Sequence, residues 1–331
     1  MTRTRLLWPA LALVALLLLN LIVEPSFFEL RLQDGHLFGS LVDILRNGAP
    51  TLLIALGMTL VIATRGIDLS VGAVAAIAGA VTCTYIASTG DALTAMALAL
   101  GVCVVLGLWN GFLVAVLGIQ PIIATLVLMT AGRGIAMLLT EGQIVTVDNP
   151  LFRQVGAGFL FLPIAILISL AALVAVALVT RRTALGMLIE SVGVNPEASR
   201  LAGVRSRTII WTVYVFAALC SGVAGLMISS NVSAADANSA GLWIEMDAIL
   251  AVVIGGTLLT GGRYSLTGTL LGALTIQTLT TTVYTIGVPP EVTLVFKAGV
   301  VIIVCLLQAP RVAPALTRAP QPRQVEEAMA R

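Results

Sequence analysis

Apolar residues in this chain fall in long uncharged runs separated by short polar breaks. Runs of helix length occupy residues 6–23, 46–64, 70–89, 94–117, 121–140, 159–179, 208–230, 246–263, 265–287 and 291–309. About 20 apolar residues in helical conformation cross the ~30 Å hydrocarbon layer of a bilayer. The pattern therefore predicts an all-α, polytopic membrane protein with about ten transmembrane helices. Arg3 and Arg5 precede the first run as they would in a secretion signal. The run is 18 residues long, however, and Glu24-Pro25-Ser26-Phe27 offers no small-x-small cleavage site, so it reads as an uncleaved span.

An even number of spans puts both termini on one side. With both inside, the inner segments collect Arg3, Arg5, Arg65, Arg181, Arg182, Arg200, Arg205, Arg207, Arg263, Arg311, Arg318, Arg323 and Arg331, against Arg31, Arg46 and Arg153 outside. That asymmetry predicts cytoplasmic termini. Acids lean outward, at Glu24, Glu29, Asp34, Asp43, Asp91, Glu141, Asp148, Asp236, Glu245 and Glu291. The expected organisation is a transmembrane domain over 1–309, with a cytoplasmic loop at 181–207, and a disordered cytoplasmic tail over 310–331.

Composition agrees: 59% of residues are apolar and 10% charged, with a mean hydropathy of +1.06, outside the range of water-soluble domains. A net charge of +2 with scattered arginines excludes a nucleic-acid partner. Cys83, Cys103, Cys220 and Cys305 all lie in apolar runs without metal-like spacing and read as packing residues. The single histidine, His36, has no acid-and-histidine cluster near it. Neither a metal site nor a catalytic constellation is expected. Glycine pairs four residues apart, Gly107 with Gly111 and Gly268 with Gly272, allow helix backbones to approach closely. The stretches around residues 65–72 and 262–268 echo one another, each a glycine-rich break between two closely spaced spans.

The inner loop holds the most informative polar sequence. Asn195 is a good helix N-cap, Pro196 suits the first helical position, Glu197 favours the positive helix end and Gly203 can close the helix. Ala198, Leu201 and Ala202 then share one face, either a ridge for a partner's groove or an interfacial connector. Asp68 can cap the helix beginning near Ser70, or mark a hinge at the break between spans. Arg133 lies about 18 Å into its span at helical rise, so it needs partners: carbonyls or an acid at an interface, or a place on a polar path. Lys297, the only lysine, is expected to snorkel outward past Glu291. Asn110, Gln120, Thr125, Asn238 and Gln277 could line a path for a hydroxylated substrate or equally hydrogen-bond between helices.

Four stretches carry a family resemblance: GMTLVIATRGIDLSVGAVAAIAGA at 57–80, GLWNGFLVAVLGIQPIIATLVLMTAGRGIA at 107–136, TALGMLIESVGVNPEASRLAGV at 183–204 and MDAILAVVIGG at 246–256. From Leu6 to Gln308 the chain resembles the permeases of bacterial ABC sugar importers of the ribose, arabinose and xylose class. DGHLFGSLVDILRNGAP, EGQIVTV and AADANSAGLWIEMDAIL resemble the galactofuranose subgroup. Arg65 departs from the glycine common there.

The resemblance implies a multi-pass inner-membrane subunit that passes a monosaccharide, galactofuranose in the first instance, by alternating access. It implies a paralogous second permease in a heterodimer, a cytoplasmic ATP-binding subunit that holds ATP and magnesium, and a periplasmic sugar-binding protein. Glu190, Asn195, Glu197, Ala198, Arg200, Leu201 and Gly203 would couple to the ATPase. Asp68, Ser70, Asn110, Thr125, Arg133, Asn238 and Gln277 are the gate or pathway candidates. The chain has no phosphate-binding GxxxxGK[ST] loop, so it is expected to bind no cofactor and to be no enzyme. The rival reading, an ion-coupled secondary transporter, would place several acids or histidines within the spans.

Overall fold

The computed structural model describes residues 3–23, 25–33, 36–287, 289, 292–299 and 302. The expected tail at 310–331, most of the last expected span, and Cys305 lie outside them. The helices are α1 (Arg3–Val23), α2 (Ser40–Ala63), α3 (Val71–Thr89), α4 (Ala92–Ala115), α5 (Pro121–Leu139), α6 (Pro150–Ala157), α7 (Ile164–Arg182), α8 (Leu185–Val194), α9 (Pro196–Leu201), α10 (Ser206–Val232), α11 (Ile244–Ile254) and α12 (Leu266–Thr285). Residues 292–299 are also helical. Two short antiparallel pairs interrupt the all-helical pattern: β1 (Arg31–Gln33) with β2 (His36–Phe38), and β3 (Val145–Thr146) with β4 (Ala234–Ala235).

Among the described residues six helices are long and apolar enough to cross a membrane: α2, α3, α4, α5, α7 and α10. They divide by burial. The apolar windows of α2, α3 and α10 are 78%, 72% and 61% buried, whereas those of α4, α5 and α7 are 28%, 28% and 17% buried. The first three form the protein-packed interior. The others turn large apolar side chains such as Leu126, Val127, Leu170, Val174 and Leu178 outward, toward lipid or a partner subunit.

Helix α10 is the central post, and small residues let its neighbours come close. A Cβ on Gly225 would lie 2.1 Å from the carbonyl oxygen of Ala75, and one on Gly57 would lie 2.8 Å from Cα of Ala217. On α4, Gly107 meets the backbone of Val215, and Cys103 fills the space beside Gly222. Cys83, Cys103 and Cys220 are free and buried, in the packing role expected of them.

These contacts also fix relative depth. Helix α3 runs parallel to α10, with Ala75 beside Gly225 and Gly79 beside Ser229. Val71, four residues before Ala75, is thus level with about Ser221, roughly 22 Å along α10 from Ser206. Helix α2 runs the other way: Gly57 sits beside Ala217 and the chain just beyond its end, at Gly66, meets Tyr214. The non-helical linker 64–70 therefore climbs back into the bundle before α3 begins near mid-depth. The expected span 246–263 is interrupted as well. Its helix covers only the 11 residues of α11, about 16 Å. The preceding non-helical chain descends from β4 along α3: Ala237 shares a buried cluster with Ala76, Ile77 and Ala80, and Gly241 and Glu245 sit against Gly72.

Lys297 does not snorkel. Its Nζ donates to both carboxylate oxygens of Asp247, at 2.9 and 2.7 Å, and the two side chains are 11% and 21% exposed. A paired, nearly dehydrated lysine is cheaper than one stretched along its own helix, and the pair ties α11 to the stretch 292–299. Removing one partner strands the other charge. Asp247→Asn and Lys297→Met should each lower stability by about 3 kcal/mol, and Asp247→Leu combined with Lys297→Met should recover most of the loss. Thermal midpoints in a mild detergent give the comparison; additive losses in the double variant would refute the pairing.

Candidate functional site: two helix breaks at mid-depth

The linker before α3 is held by its own side chains and by side chains from two helices, α4 and α5. Asp68 Oδ1 accepts hydrogen bonds from the Ser70 amide at 2.9 Å and the Ser70 hydroxyl at 2.6 Å. Asn110 Nδ2, on α4, donates to Ser70 Oγ at 2.9 Å. On α5, Thr125 Oγ1 accepts from the Leu69 amide and lies within reach of the Ile67 carbonyl, both at 3.2 Å. Asp68, Ser70, Asn110 and Thr125 are all buried. Asp68 thus both closes the turn, as a capping residue would, and marks a break. That break lies deeper than an inner-surface hinge, because α3 starts so far along α10.

Two buried polar atoms beside this linker have no hydrogen-bond partner: Asn110 Oδ1 and the Tyr214 hydroxyl oxygen. The chain passes across that hydroxyl at Gly66, where a Cβ would lie 2.6 Å from the oxygen. An apolar surrounding makes each unmatched group cost about 1–3 kcal/mol.

The second break is held by Arg133. Its Nη1 donates to the carbonyls of Ala237 at 3.0 Å and Ala240 at 2.6 Å, in the non-helical chain leading to α11. Of the two roles read from its depth, pairing with carbonyls is the one the geometry displays. Glu245 is 3% exposed and sits in the first turn of α11, where the helix dipole favours a negative group. The sequence places it among the outward loop acids; the descent of residues 236–243 carries it inside the bundle. Asp236 Oδ1 accepts from the amide of Asn238, whose side chain is exposed on the same segment. Gly72 joins the breaks, since a Cβ there would lie 2.4 Å from a Glu245 carboxylate oxygen and 2.6 Å from the Gly241 carbonyl. Gln277 stands apart, on α12 against Gly48 of α2.

At the far end of α10 from these breaks' outer strands, α9 is built as its residues predict. Asn195 Oδ1 accepts from the amides of Glu197 and Ala198 at 3.1 and 3.0 Å, with Pro196 in the first turn. Arg200 pairs with both oxygens of Glu197, at 3.0 and 2.6 Å. Those hydrogen bonds hold the Glu197 carboxyl below its usual range. Gly203 takes φ +86° and turns the chain toward α10. Ala198, Leu201 and Ala202 are exposed, Leu201 at 77%. Glu190 lies on α8, beside Tyr264.

Apolar helices whose interior members are broken at mid-depth, with the freed backbone groups matched by neighbouring side chains, characterise a polytopic membrane transport protein. The family model described as branched-chain amino acid transport system / permease component matches residues 40–305, and the chain belongs to that family. It is 50% identical over 315 residues to the galactofuranose transporter permease protein YtfT of Escherichia coli K12, covering 93% of this chain and 92% of that one. It is 40% identical over 316 residues to the fructose import permease protein FruF of Bifidobacterium longum, covering 93% and 89%. Over 304 residues it is 36% identical to the ribose import permease protein RbsC of Bacillus subtilis, covering 91% and 92%. No solved structure matches it. The chain is a membrane permease whose relatives import sugars.

Arg133→Ala should leave two buried carbonyls unmatched. Destabilisation of about 2 kcal/mol follows, read as a lower thermal midpoint, together with loss of transport. Arg133→Lys, which keeps the charge and one donor direction, should fall between; an alanine variant with wild-type stability would show that the carbonyl clamp is dispensable.

Proposed function

We propose that this chain is the membrane-spanning subunit of an ATP-binding-cassette importer that passes a monosaccharide inward, galactofuranose before fructose or ribose. The observation that carries the sugar is the 50% identity to a galactofuranose permease over nearly the full length of both chains. The chain works as one of two paralogous permeases, with a cytoplasmic subunit binding ATP and magnesium and a periplasmic protein delivering sugar. It carries no ATPase site of its own.

In this reading the α9 end faces the cytoplasm, in keeping with the arginine asymmetry, and the Arg46 end faces the periplasm. The ten-span topology with both termini inside, the transmembrane domain over 1–309 and the tail at 310–331 belong to the same proposal. The capped α9, with its exposed Ala198, Leu201 and Ala202, is the piece that seats in the ATPase, assisted by Glu190, the Glu197 and Arg200 pair, and Gly203. The mid-depth breaks, with Asp68, Ser70, Asn110, Thr125, Arg133 and Asn238, are the part that changes as access alternates. Gln277 is the least favoured of the pathway candidates, because it packs between α2 and α12.

The complex purified with its ATPase should import galactofuranose into liposomes only with ATP and the loaded binding protein. Asn195→Ala removes the cap of α9, worth about 1 kcal/mol, and should lower binding-protein-stimulated ATPase activity several-fold while the permease itself stays folded. Sugar uptake without ATP would instead establish a secondary transporter.

A further inference from the structure

Three chain segments meet at the α9 end of the bundle with almost no side chains between them. The last carbonyl of α2, Ala63, accepts from the Gly262 amide at 2.8 Å. Gly193, near the end of α8, is so close that a Cβ there would lie 1.8 Å from the Ala63 oxygen and 2.5 Å from the Gly262 nitrogen. Gly261 packs against Arg65 and the Gly193 carbonyl. Only glycine permits that approach, and Gly261 and Gly262 also take φ values of +81° and +91°.

The one long side chain in this junction is Arg65. Its Nε donates to the carbonyl of Thr260 at 3.1 Å, and its Nη2 donates to the carbonyl of Val194. Val194 immediately precedes Asn195, the cap of α9. Thr260 lies in the turn that follows α11. Arg65 itself opens the linker that rises to Asp68 and Ser70. A single guanidinium therefore joins the cap of the exposed α9 to the chain entering the first mid-depth break and to the turn after α11, the helix whose other end the second break leads into. The two stretches whose sequences echo one another, near 65 and 262, are in contact through it.

The backbone makes this arginine conspicuous. Arg65 sits at φ +64°, a left-handed conformation that glycine adopts freely and that a residue carrying a Cβ rarely does. Local backbone preference alone would select glycine here. An arginine retained at this angle is held by what its side chain joins.

We propose that Arg65 is the positioning residue that transmits movement of α9 directly to the α2–α3 break and, through the turn after α11, to the break at the other end of that helix, so that it sets how much sugar moves per ATP hydrolysed. This rests on the importer reading above. The decisive variant is Arg65→Gly, which suits the backbone angle and removes only the tether; Arg65→Asn, which also tolerates the left-handed region, is its control. In the reconstituted complex both variants should keep the wild-type thermal midpoint within a few degrees and the wild-type binding-protein-stimulated ATPase rate within about two-fold. The ratio of sugar imported to ATP hydrolysed should fall about ten-fold. An unchanged ratio, or a proportionate fall in transport and hydrolysis together, would overturn the role in transmission. Failure of the wild-type complex to couple uptake to ATP is a separate result, and it would remove the importer reading itself.

Discussion

Backbone amides and carbonyls within a membrane must find partners inside the protein, because each one left bare in hydrocarbon costs several kcal/mol. The two broken helices of this permease can exist only because that demand is met locally. Around the first break, Thr125 serves the Leu69 amide and Asp68 serves the Ser70 amide. Around the second, Arg133 gathers the carbonyls of Ala237 and Ala240. The polar side chains that look out of place in apolar spans are the complement of the missing helical hydrogen bonds. Arg133, half-buried in its span, finds acceptors in neighbouring carbonyls that no helix is using.

Close packing is the second condition, and it depends on the first. A non-helical chain has no continuous side-chain surface to bury, so it must lie directly on a neighbouring backbone. Gly72 and Gly79 on α3, with Gly225 of α10 facing Ala75, let Gly241, α10 and the start of α11 all rest directly on α3. Interior helices that meet through glycine, alanine and serine bury backbone against backbone, which the membrane favours through dispersion and polar matching rather than through a hydrophobic effect. The outer helices α4, α5 and α7 carry the large apolar side chains instead, where they meet lipid or a partner.

Much of this was legible in the sequence, and the failures have a physical pattern. Long apolar runs located every helix above about 18 residues, and Asn195, Pro196, Glu197 and Gly203 specified α9 because caps are local signals. That Asp68, Ser70, Asn110, Thr125 and Arg133 need polar partners could be read from polar residues in apolar surroundings, although which partners they find could not. The interruption at α11 was hidden because MDAILAVVIGGTLLTGG is as apolar as a full span; hydropathy reports the medium and not the backbone conformation. Glu245 was read as a loop acid since only the path of residues 236–243 brings it inside. Lys297 was assigned to snorkelling because its partner Asp247 lies 50 residues away, beyond any helical spacing. Gln277 was grouped with the pathway on chemistry alone, whereas position puts it between α2 and α12.

The polar linker is not uniformly satisfied, and the difference bears on transport. Asp68, Ser70 and Thr125 have their partners, but Asn110 Oδ1 and the Tyr214 hydroxyl beside them do not. Two unmatched groups at about 1–3 kcal/mol each raise the free energy of this arrangement by an amount comparable to the gap between two conformations of a working transporter. Glycine contacts seat α3 directly on the α10 backbone, whereas residues 64–70, beside both atoms, lie outside any helix. The residues that keep this conformation together and the residues that make it costly are therefore neighbours around the same linker.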